Sequence, residues 1–343
     1  MCRFIKISFT FVIISYLLGG TPIEYTIGFT GGYDDNVLRF SKDEFNDAAQ
    51  DLSIMGGSST FDSFVTKLSF QGRKSIIYSK NQILNLKLLY TSSDYRNIPE
   101  KKYWSGGFDI SYKWGSYKNI KYSLRHLDRF YLRHYTNKDI SNDQLSPCLF
   151  TDRNQSLILS QRVSKRSWVN FGGGYLQRYY SKPFIEFDLD IVYYKAKLNY
   201  KIKKIGTVAL QVNRGHAVNE SHFLPDRPSS FNRSYDTIEW YAPIKINKII
   251  PFFSVIGIAT RIEKRIYDAE DPNDPLHAGR SHLDSKYDFW LEKSISDIVN
   301  ITLSTRYRTR QTDSEYDWVK DLKSFDQLQF WCTIEWDMIY DNY

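Results

Sequence analysis

Long apolar segments are scarce in this 343-residue chain. After residue 20 the longest apolar run covers 249–259 and contains Pro251. A helix that crosses a bilayer needs about 20 predominantly apolar residues. The sequence therefore excludes a transmembrane helix beyond its N-terminal segment.

Cysteine is also rare, and its three positions are Cys2, Cys148 and Cys332. Cys2 lies in a segment that we expect to be removed, Cys148 in a predicted loop and Cys332 in the last predicted strand, so the sequence gives no support for a disulfide. The chain has no Gly-x-Ser-x-Gly elbow and no His-Glu-x-x-His helix, which mark two large groups of hydrolases. We expect neither an enzyme nor a bound cofactor.

Charge of one sign is not concentrated anywhere in the chain. The sequence has 46 Lys plus Arg against 39 Asp plus Glu, a net charge of +7, and no long Lys/Arg run. Nucleic-acid binding requires a concentrated basic surface, whereas here basic residues alternate with apolar ones. We expect no nucleic-acid partner.

The first twenty residues have the pattern of a secretory signal peptide. Arg3 and Lys6 form a basic start, 7–18 is an apolar stretch, and Gly19 and Gly20 are small. This order is typical of a cleaved export signal, and the apolar stretch is shorter than the roughly 20 residues that an anchor would need. We expect cleavage near Gly20, which leaves 21–343 as one mature domain.

Aromatic residues are abundant, and apolar residues recur with a period of two. Aromatics make up 16% of the chain, with 26 Tyr and 22 Phe; they suit strands and the membrane–water boundary. Around 104–114, 185–193, 299–308 and 330–340 apolar and polar residues alternate, which predicts one apolar and one polar face. In 185–193 this frame places the apolar residues outward and Glu186, Asp188 and Asp190 inward.

These alternating stretches are longer than ordinary strands. Globular strands average about five or six residues, whereas strands that span a membrane need about 9–11 and alternate apolar-out with polar-in. Short and long connectors also alternate along the chain, as they do in bacterial barrels with periplasmic termini. The sequence predicts a closed all-β antiparallel barrel of fourteen strands, with 12–16 as the range, near 25–34, 61–71, 82–91, 103–114, 119–133, 152–163, 167–180, 184–200, 205–214, 234–246, 250–267, 285–293, 297–310 and 326–340.

Both ends of the mature chain resemble bacterial outer-membrane β-barrel proteins. The segment 31–37 (GGYDDNV) looks like their opening strand and first loop, and the aromatic-rich last strand ending at Tyr343 is similar to the strand read by the barrel-assembly machinery. One departure is that the alternating frame closes at Tyr340, three residues early. The resemblance implies an outer-membrane location, contact with lipid and lipopolysaccharide, and assembly by that machinery.

Charged residues on the predicted inner faces cluster toward the external end of the barrel. Opposed cations and carboxylates are one way to build a selective constriction in a pore. The alternatives are that strand ends carry charge because both faces are wet, that arginine–carboxylate pairs fill a narrow lumen, or that the basic residues meet outer-leaflet phosphates. The candidate lumen residues are Arg125, Arg129, Arg133, Arg178, Glu186, Asp188, Asp190, Arg261, Glu263, Arg265, Arg306, Arg308 and Arg310.

Two groups of loop residues are weak candidates for metal binding. His216, His222, His277 and His282 fall in two neighbouring predicted loops, and an acidic loop at 268–274 lacks the glycine and the spacing of an EF-hand. Solvation is the favoured interpretation of both groups. We predict a passive channel for small polar or charged solutes; the alternative is a non-conducting barrel that presents external loops.

Overall fold

The computed structural model describes residues 21–79, 81–137, 140, 144–219, 231–247, 252–271 and 273–341. The predicted signal peptide lies outside the described residues, and so does His222. Within these ranges antiparallel strands dominate, as the period-two pattern requires. They are β1 (Ile23–Asp34), β2 (Ser63–Ser79), β3 (Gln82–Tyr95), β4 (Tyr103–Gly115), β5 (Lys118–Thr136), β6 (Leu145–Arg162), β7 (Ser167–Tyr180), β8 (Leu189–Ile202), β9 (Gly206–Val218), β10 (Tyr235–Asn247), β11 (Val255–Tyr267), β12 (Ser281–Ser294), β13 (Val299–Asp313) and β14 (Phe325–Tyr340).

The fourteen strands close into one barrel in which each pairs with its neighbours in sequence. β1 closes the sheet against β14, from Ile23 opposite Tyr340 to Asp34 opposite Gln329. Closure leaves no strand edge unpaired, which is the condition for a sheet to exist within lipid. The predicted closed antiparallel barrel and its strand number are confirmed.

The pleat directs apolar side chains outward along almost every strand. Large apolar side chains are exposed on the outer wall, and aromatic ones such as Tyr33 and Tyr200 lie near strand ends. In water this surface would be unfavourable at about 25 cal/mol per Å² of apolar area, whereas lipid covers it. Examples of the outer belt are Phe29, Leu68, Leu88, Phe171, Leu198, Leu210, Ile258 and Phe330.

One strand has the opposite phase from the prediction. β8 begins at Leu189, after a 3-10 turn at Ile185–Phe187, instead of near 184. Leu189 and Ile191 are buried together with Ala217 and Tyr235 inside the barrel, whereas Val192 and Tyr194 are exposed. Because the side-chain period is two, the register of β8 turns Leu189 and Ile191 to the lumen and Asp190 to the outer face, opposite to the prediction.

The two ends of the barrel differ in the length of their connections. One end has the connections 80–81, 116–117, 163–166, 203–205, 248–254 and 295–298; it is called the turn end. The other has 35–62, 96–102, 137–144, 181–188, 219–234, 268–280 and 314–324; it is called the loop end. Helices α1 (Lys42–Gln50) and α2 (Asp317–Lys323) both belong to the loop end.

Among the described residues, no helix is long and apolar enough to cross a membrane.

Loop 1, the connection 35–62, folds into the mouth of the barrel instead of outward. Ser41 caps α1: its side chain accepts from the Glu44 backbone while the Glu44 carboxylate accepts from the Ser41 backbone, the reciprocal pattern of a capping box. Val37, Phe40 and Met55 are almost fully buried in one cluster that reaches Tyr131 of β5. This small core within the barrel holds loop 1 against the wall.

Candidate functional site

The segment that resembles other barrels ties loop 1 to the closing strand. Asp34 accepts hydrogen bonds from the Gln327 amide at 2.8 Å and the Gln329 amide at 2.6 Å. The Asn36 amide donates to the carbonyls of Phe40 at 2.9 Å and Asp326 at 2.8 Å. Short polar side chains favour such bonds to nearby backbone in turns, so the start of loop 1 is directed across the lumen.

Arg133 of β5 anchors the far side of loop 1. Its guanidinium donates to the Glu44 carboxylate, to the Leu38 carbonyl at 2.9 Å and to the Arg39 carbonyl at 2.8 Å. The side chains of Arg133 and Glu44 are only 15% and 12% exposed, so water screens this pair weakly. The predicted lumen residue Arg133 therefore acts mainly as the attachment point of loop 1.

Beneath loop 1 lies a cavity of about 320 Å³ whose lining is strongly cationic. Nine of its eighteen lining residues are Lys or Arg, and only Glu263 and Asp284 are acidic. A second cavity of about 250 Å³ shares part of this lining, including Arg178, Arg265 and Arg310. The two are called the twin cavity. The basic residues of the first part are Arg39, Lys101, Arg133, Arg178, Arg265, Lys286, Arg308, Arg310 and Lys323.

The arginines on the barrel wall are paired with carboxylates. Arg178 makes two hydrogen bonds to Asp152, at 2.9 and 2.8 Å, and Arg265 donates to Glu263 at 2.8 Å. Such charge-assisted pairs orient the guanidinium plane. The partner carboxylates therefore offset the positive charge that these wall arginines bring to the cavity.

Asp284 is shared by several cations. Arg308 makes two hydrogen bonds to its carboxylate, and Arg310 makes a further bond at 2.9 Å. The Lys286 ammonium is 3.9 Å away. One carboxylate therefore offsets three cations, and this part of the wall keeps an excess of positive charge.

Three further cations come from the loops, at Arg39, Lys101 and Lys323, and none of them forms an ion pair with a described residue. Burial and the neighbouring Arg308 and Arg310 lower the pKa of Arg39 to about 9. Burial also lowers the pKa of Lys101 well below its usual value, and that of Lys323 to about 8. Like charges in a low-dielectric site repel, so the cavity favours an added anion.

Aromatic rings hold several of these guanidinium groups in place. Arg280 lies 4.0 Å from the ring centre of Tyr267, and Arg265 lies 4.3 Å from that of Tyr235. Guanidinium planes favour such stacking. Stacking occupies the face of the guanidinium and leaves its N–H edge for hydrogen bonds, such as the one from Arg265 to Glu263.

Three of the predicted arginines line the lumen closer to the turn end. Arg125 contacts Asp109 at 2.7 Å, Arg306 contacts Asp288 at 2.6 Å, and Arg261 lies 3.8 Å from Glu239. Each partner comes from the neighbouring strand. These pairs extend the charged lining beyond the twin cavity.

Arg129 does not share the inward face that the sequence pattern assigned to it. The register of β5 against β6 shifts between Leu127 and Phe130 and again between Tyr131 and Arg133, and Arg129 has φ 43. A bulge re-aims side chains. Arg129 is exposed and lines a surface pocket with the outward-facing Tyr90 and Trp104.

The predicted acidic group on β8 lies outside the lining of the twin cavity. The Asp188 carboxylate accepts from the Tyr180 backbone at 2.6 Å and terminates the 3-10 turn that contains Glu186. Asp190 lies next to the Tyr179 hydroxyl at 3.3 Å, on the outer face. None of the three lines the twin cavity. The opposing carboxylates are Asp152, Glu263 and Asp284, of which only Glu263 was among the sequence candidates.

Sequence periodicity could not find the loop cations. Arg39 lies in an irregular segment, Lys101 in the 3-10 turn Pro99–Lys101, and Lys323 at the end of α2. The capping-box pattern at Ser41 and Glu44 does signal a helix start. No sequence feature shows that this helix enters the lumen.

Of the histidines predicted to lie in loops, His277 does so, whereas His216 lies in β9 and His282 in β12. His277 contacts Asp274 at 2.7 Å, His282 contacts Thr312 at 2.9 Å, and His216 contacts Asp236 at 2.9 Å. Burial lowers the pKa of His277 to about 4. In the described ranges, no three His, Cys, Asp or Glu residues lie close enough together to hold a metal ion.

The fold and the lining define a class of protein. A closed antiparallel barrel with an apolar outer belt, aromatic residues near its rims and a charged lumen is the outer-membrane type of transmembrane β-barrel, and this chain has that architecture.

No protein-family model and no curated protein matches the chain. Solved structures with a similar course of the chain include OccAB2 of Acinetobacter baumannii, with 8% identity, a TM-score of 0.42, and coverage of 95% of this chain and 100% of that one. The NanC porin gives 10% identity, a TM-score of 0.42, and coverage of 90% and 98%. A loop L8 deletion mutant of OmpT, an outer-membrane protein of Vibrio cholerae, has 8% identity, a TM-score of 0.46, and coverage of 92% of this chain and 99% of that one. At identities this low the likeness extends to the fold and not to function.

Proposed function

We propose that this protein is a passive channel of the bacterial outer membrane that favours small anions. The observation that carries the proposal is the charge imbalance of the lumen at the loop end, where nine basic side chains face two acidic ones in one cavity. A ring of cations attracts anions into a narrow pore and repels cations, because the low-dielectric wall focuses the field.

Both termini face the periplasm in this proposal. β1 starts and β14 ends at the turn end, and outer-membrane barrels have short periplasmic turns and longer external loops. A signal peptide at 1–20 would deliver the chain, and the barrel-assembly machinery would insert it beside lipid and lipopolysaccharide. The twin cavity is then the external mouth, which solutes meet first.

The test is single-channel conductance of the refolded mature chain in a planar bilayer with a salt gradient. We expect discrete steps and a reversal potential of the sign that chloride preference gives. Arg310→Gln should lower the chloride-to-potassium permeability ratio. Lys165→Gln, which removes the same charge from an exposed turn, should leave the ratio unchanged.

Two results would contradict the proposal. Cation preference would show that the cationic mouth does not control permeation. A barrel that inserts, is heat-modifiable on gels and passes no current would instead be a non-conducting barrel that presents its loops at the surface.

A further inference from the structure

Arg39 of loop 1 has an unusual backbone conformation. Its φ is 56, in the left-handed region, which is uncommon for a residue other than glycine and often marks a functional constraint. The conformation is held from both sides: its N–H donates to the Asn36 carbonyl at 3.1 Å, and its carbonyl accepts from Arg133. Loop 1 is therefore built to place this side chain in the lumen.

The guanidinium of Arg39 is not satisfied by the protein. Its Nε is buried and has no hydrogen-bond partner among the described residues. The same is true of Nε in Arg233, Arg265 and Arg280, whose side chains line the twin cavity; Arg280 is only 4% exposed. Buried donors without partners are rare in folded proteins because they lose water and gain nothing in return.

The four arginines that carry these donors are spread along the twin cavity. Arg39 lines the larger part, Arg233 and Arg280 line the smaller part, and Arg265 lines both. Arg310 and Lys323 also line both parts. An anion with a single charged group can reach one part, whereas an anion with two or more charged groups can reach both.

We propose that Arg39, Arg233, Arg265 and Arg280 form a binding site for a small polyvalent oxyanion, one that carries two or more phosphate or carboxylate groups. Planar guanidinium groups match the geometry of such oxygens better than that of a spherical halide. The inference deepens the proposed channel function, because it makes permeation saturable and selective among anions. It assigns to loop 1 a direct part in binding.

The experiment measures block of chloride current through the refolded channel by added pyrophosphate, by propane-1,2,3-tricarboxylate and by acetate. We expect at least one of the two polyvalent anions to block with a saturating concentration dependence, and acetate to block far more weakly. Arg39→Gln should raise the half-blocking concentration about tenfold or more, as loss of a charge-assisted hydrogen bond implies.

Arg306→Gln is the matched control. It also removes a lumen arginine, but Arg306 pairs with Asp288 and does not line the twin cavity. We expect its half-blocking concentration to change less than twofold even where its chloride preference falls. Equal shifts in the two variants would show that block follows overall lumen charge, and the proposed site would be wrong.

Binding is also measured without current, by isothermal titration calorimetry of the refolded barrel in detergent with the same three anions. Saturable heat that Arg39→Gln weakens supports the site even if the barrel does not conduct, in which case only the channel proposal fails. Conduction with no saturable binding of either polyvalent anion overturns the site and leaves the channel proposal standing. Heat-modifiability on gels confirms that the variants are folded.

Discussion

The barrel wall and the inserted loops both supply cations to the twin cavity, but the two groups differ in whether a carboxylate pairs with each cation. On the wall, Arg178 is paired with Asp152 and Arg308 with Asp284. The loop-borne Arg39 and Lys323 form no ion pair with a described residue. Register places Asp152 opposite Arg178 and Asp284 opposite Arg310, whereas Glu263 lies two residues from Arg265 on the same strand face. Loop residues are delivered from outside the sheet and have no such neighbour.

The difference separates two tasks within one cluster of charge. The paired wall arginines stiffen the barrel and hold loop 1, as Arg133 does through Glu44. The unpaired loop cations remain available for a solute, and so does the Nε of Arg265, which the bond to Glu263 leaves without a partner. The number of cations therefore does not show which of them is available to a solute, because that depends on the partner of each cation.

The largest expected effect comes from removing the carboxylate that the wall cations share. Asp284→Asn leaves Arg308, Arg310 and Lys286 without their partner in a buried site, and breaking a buried ion pair costs about 3–5 kcal/mol. We expect a large loss of stability, measured by urea unfolding in lipid vesicles. Asp288→Asn, whose partner Arg306 is 46% exposed, should lower the stability much less. Equal losses of stability would show that burial does not distinguish the two ion pairs.

A charge on the outer belt tests the assignment of the two faces. Leu210→Arg faces lipid and should cost about 2–4 kcal/mol if it lies near the midplane. Gln211→Arg, the next residue on β9, faces the lumen beside Asn213 and should assemble. The measurement is the heat-modifiable fraction on gels after refolding into vesicles. Normal assembly of Leu210→Arg in lipid would be incompatible with the lipid-facing assignment.

Releasing loop 1 tests whether the loop depends on the wall. Glu44→Gln loses the ion pair with Arg133, and hydrogen bonds to charged groups contribute about 1.5–3 kcal/mol. We expect faster proteolysis within 35–62 and larger unit conductance. Asp43→Asn removes a charge from the same helix at an exposed position and should change neither. If loop 1 of Glu44→Gln stays resistant to protease, the anchor lies elsewhere.

The smallest expected effect is on the pH dependence of selectivity. Burial and Arg133 lower the pKa of Lys323 to about 8, so its positive charge is present at neutral pH and is lost as pH rises through about 8. Chloride preference should fall between pH 7 and 9 as Lys323 loses its charge. Lys323→Arg should make this fall smaller. A flat profile in the parent protein would contradict the assignment.

Much of the barrel could be predicted from periodicity, because a membrane-spanning strand alternates apolar residues that face lipid with polar residues that face the lumen. β7 spans 167–180 in both prediction and structure, and most other strand ends differ by a few residues. The failures come from irregular backbone. The 3-10 turn before Leu189 reversed the faces of β8, and the two shifts in β5 removed Arg129 from the lumen. Neither irregularity changes the local alternation of the sequence.

Sequence alone determined the closed sheet, its lipid-facing belt and the arginine-rich inner faces near one end, because lipid allows only apolar side chains outward and requires every strand edge to be paired. Only the tertiary structure decided which cations are neutralised and which are not. Loop 1 enters the mouth through contacts that are distant in sequence, such as Asn36 to Asp326 and Glu44 to Arg133. Long-range contacts of this kind leave no periodic pattern in the sequence, so only the folded structure shows where Arg39 lies.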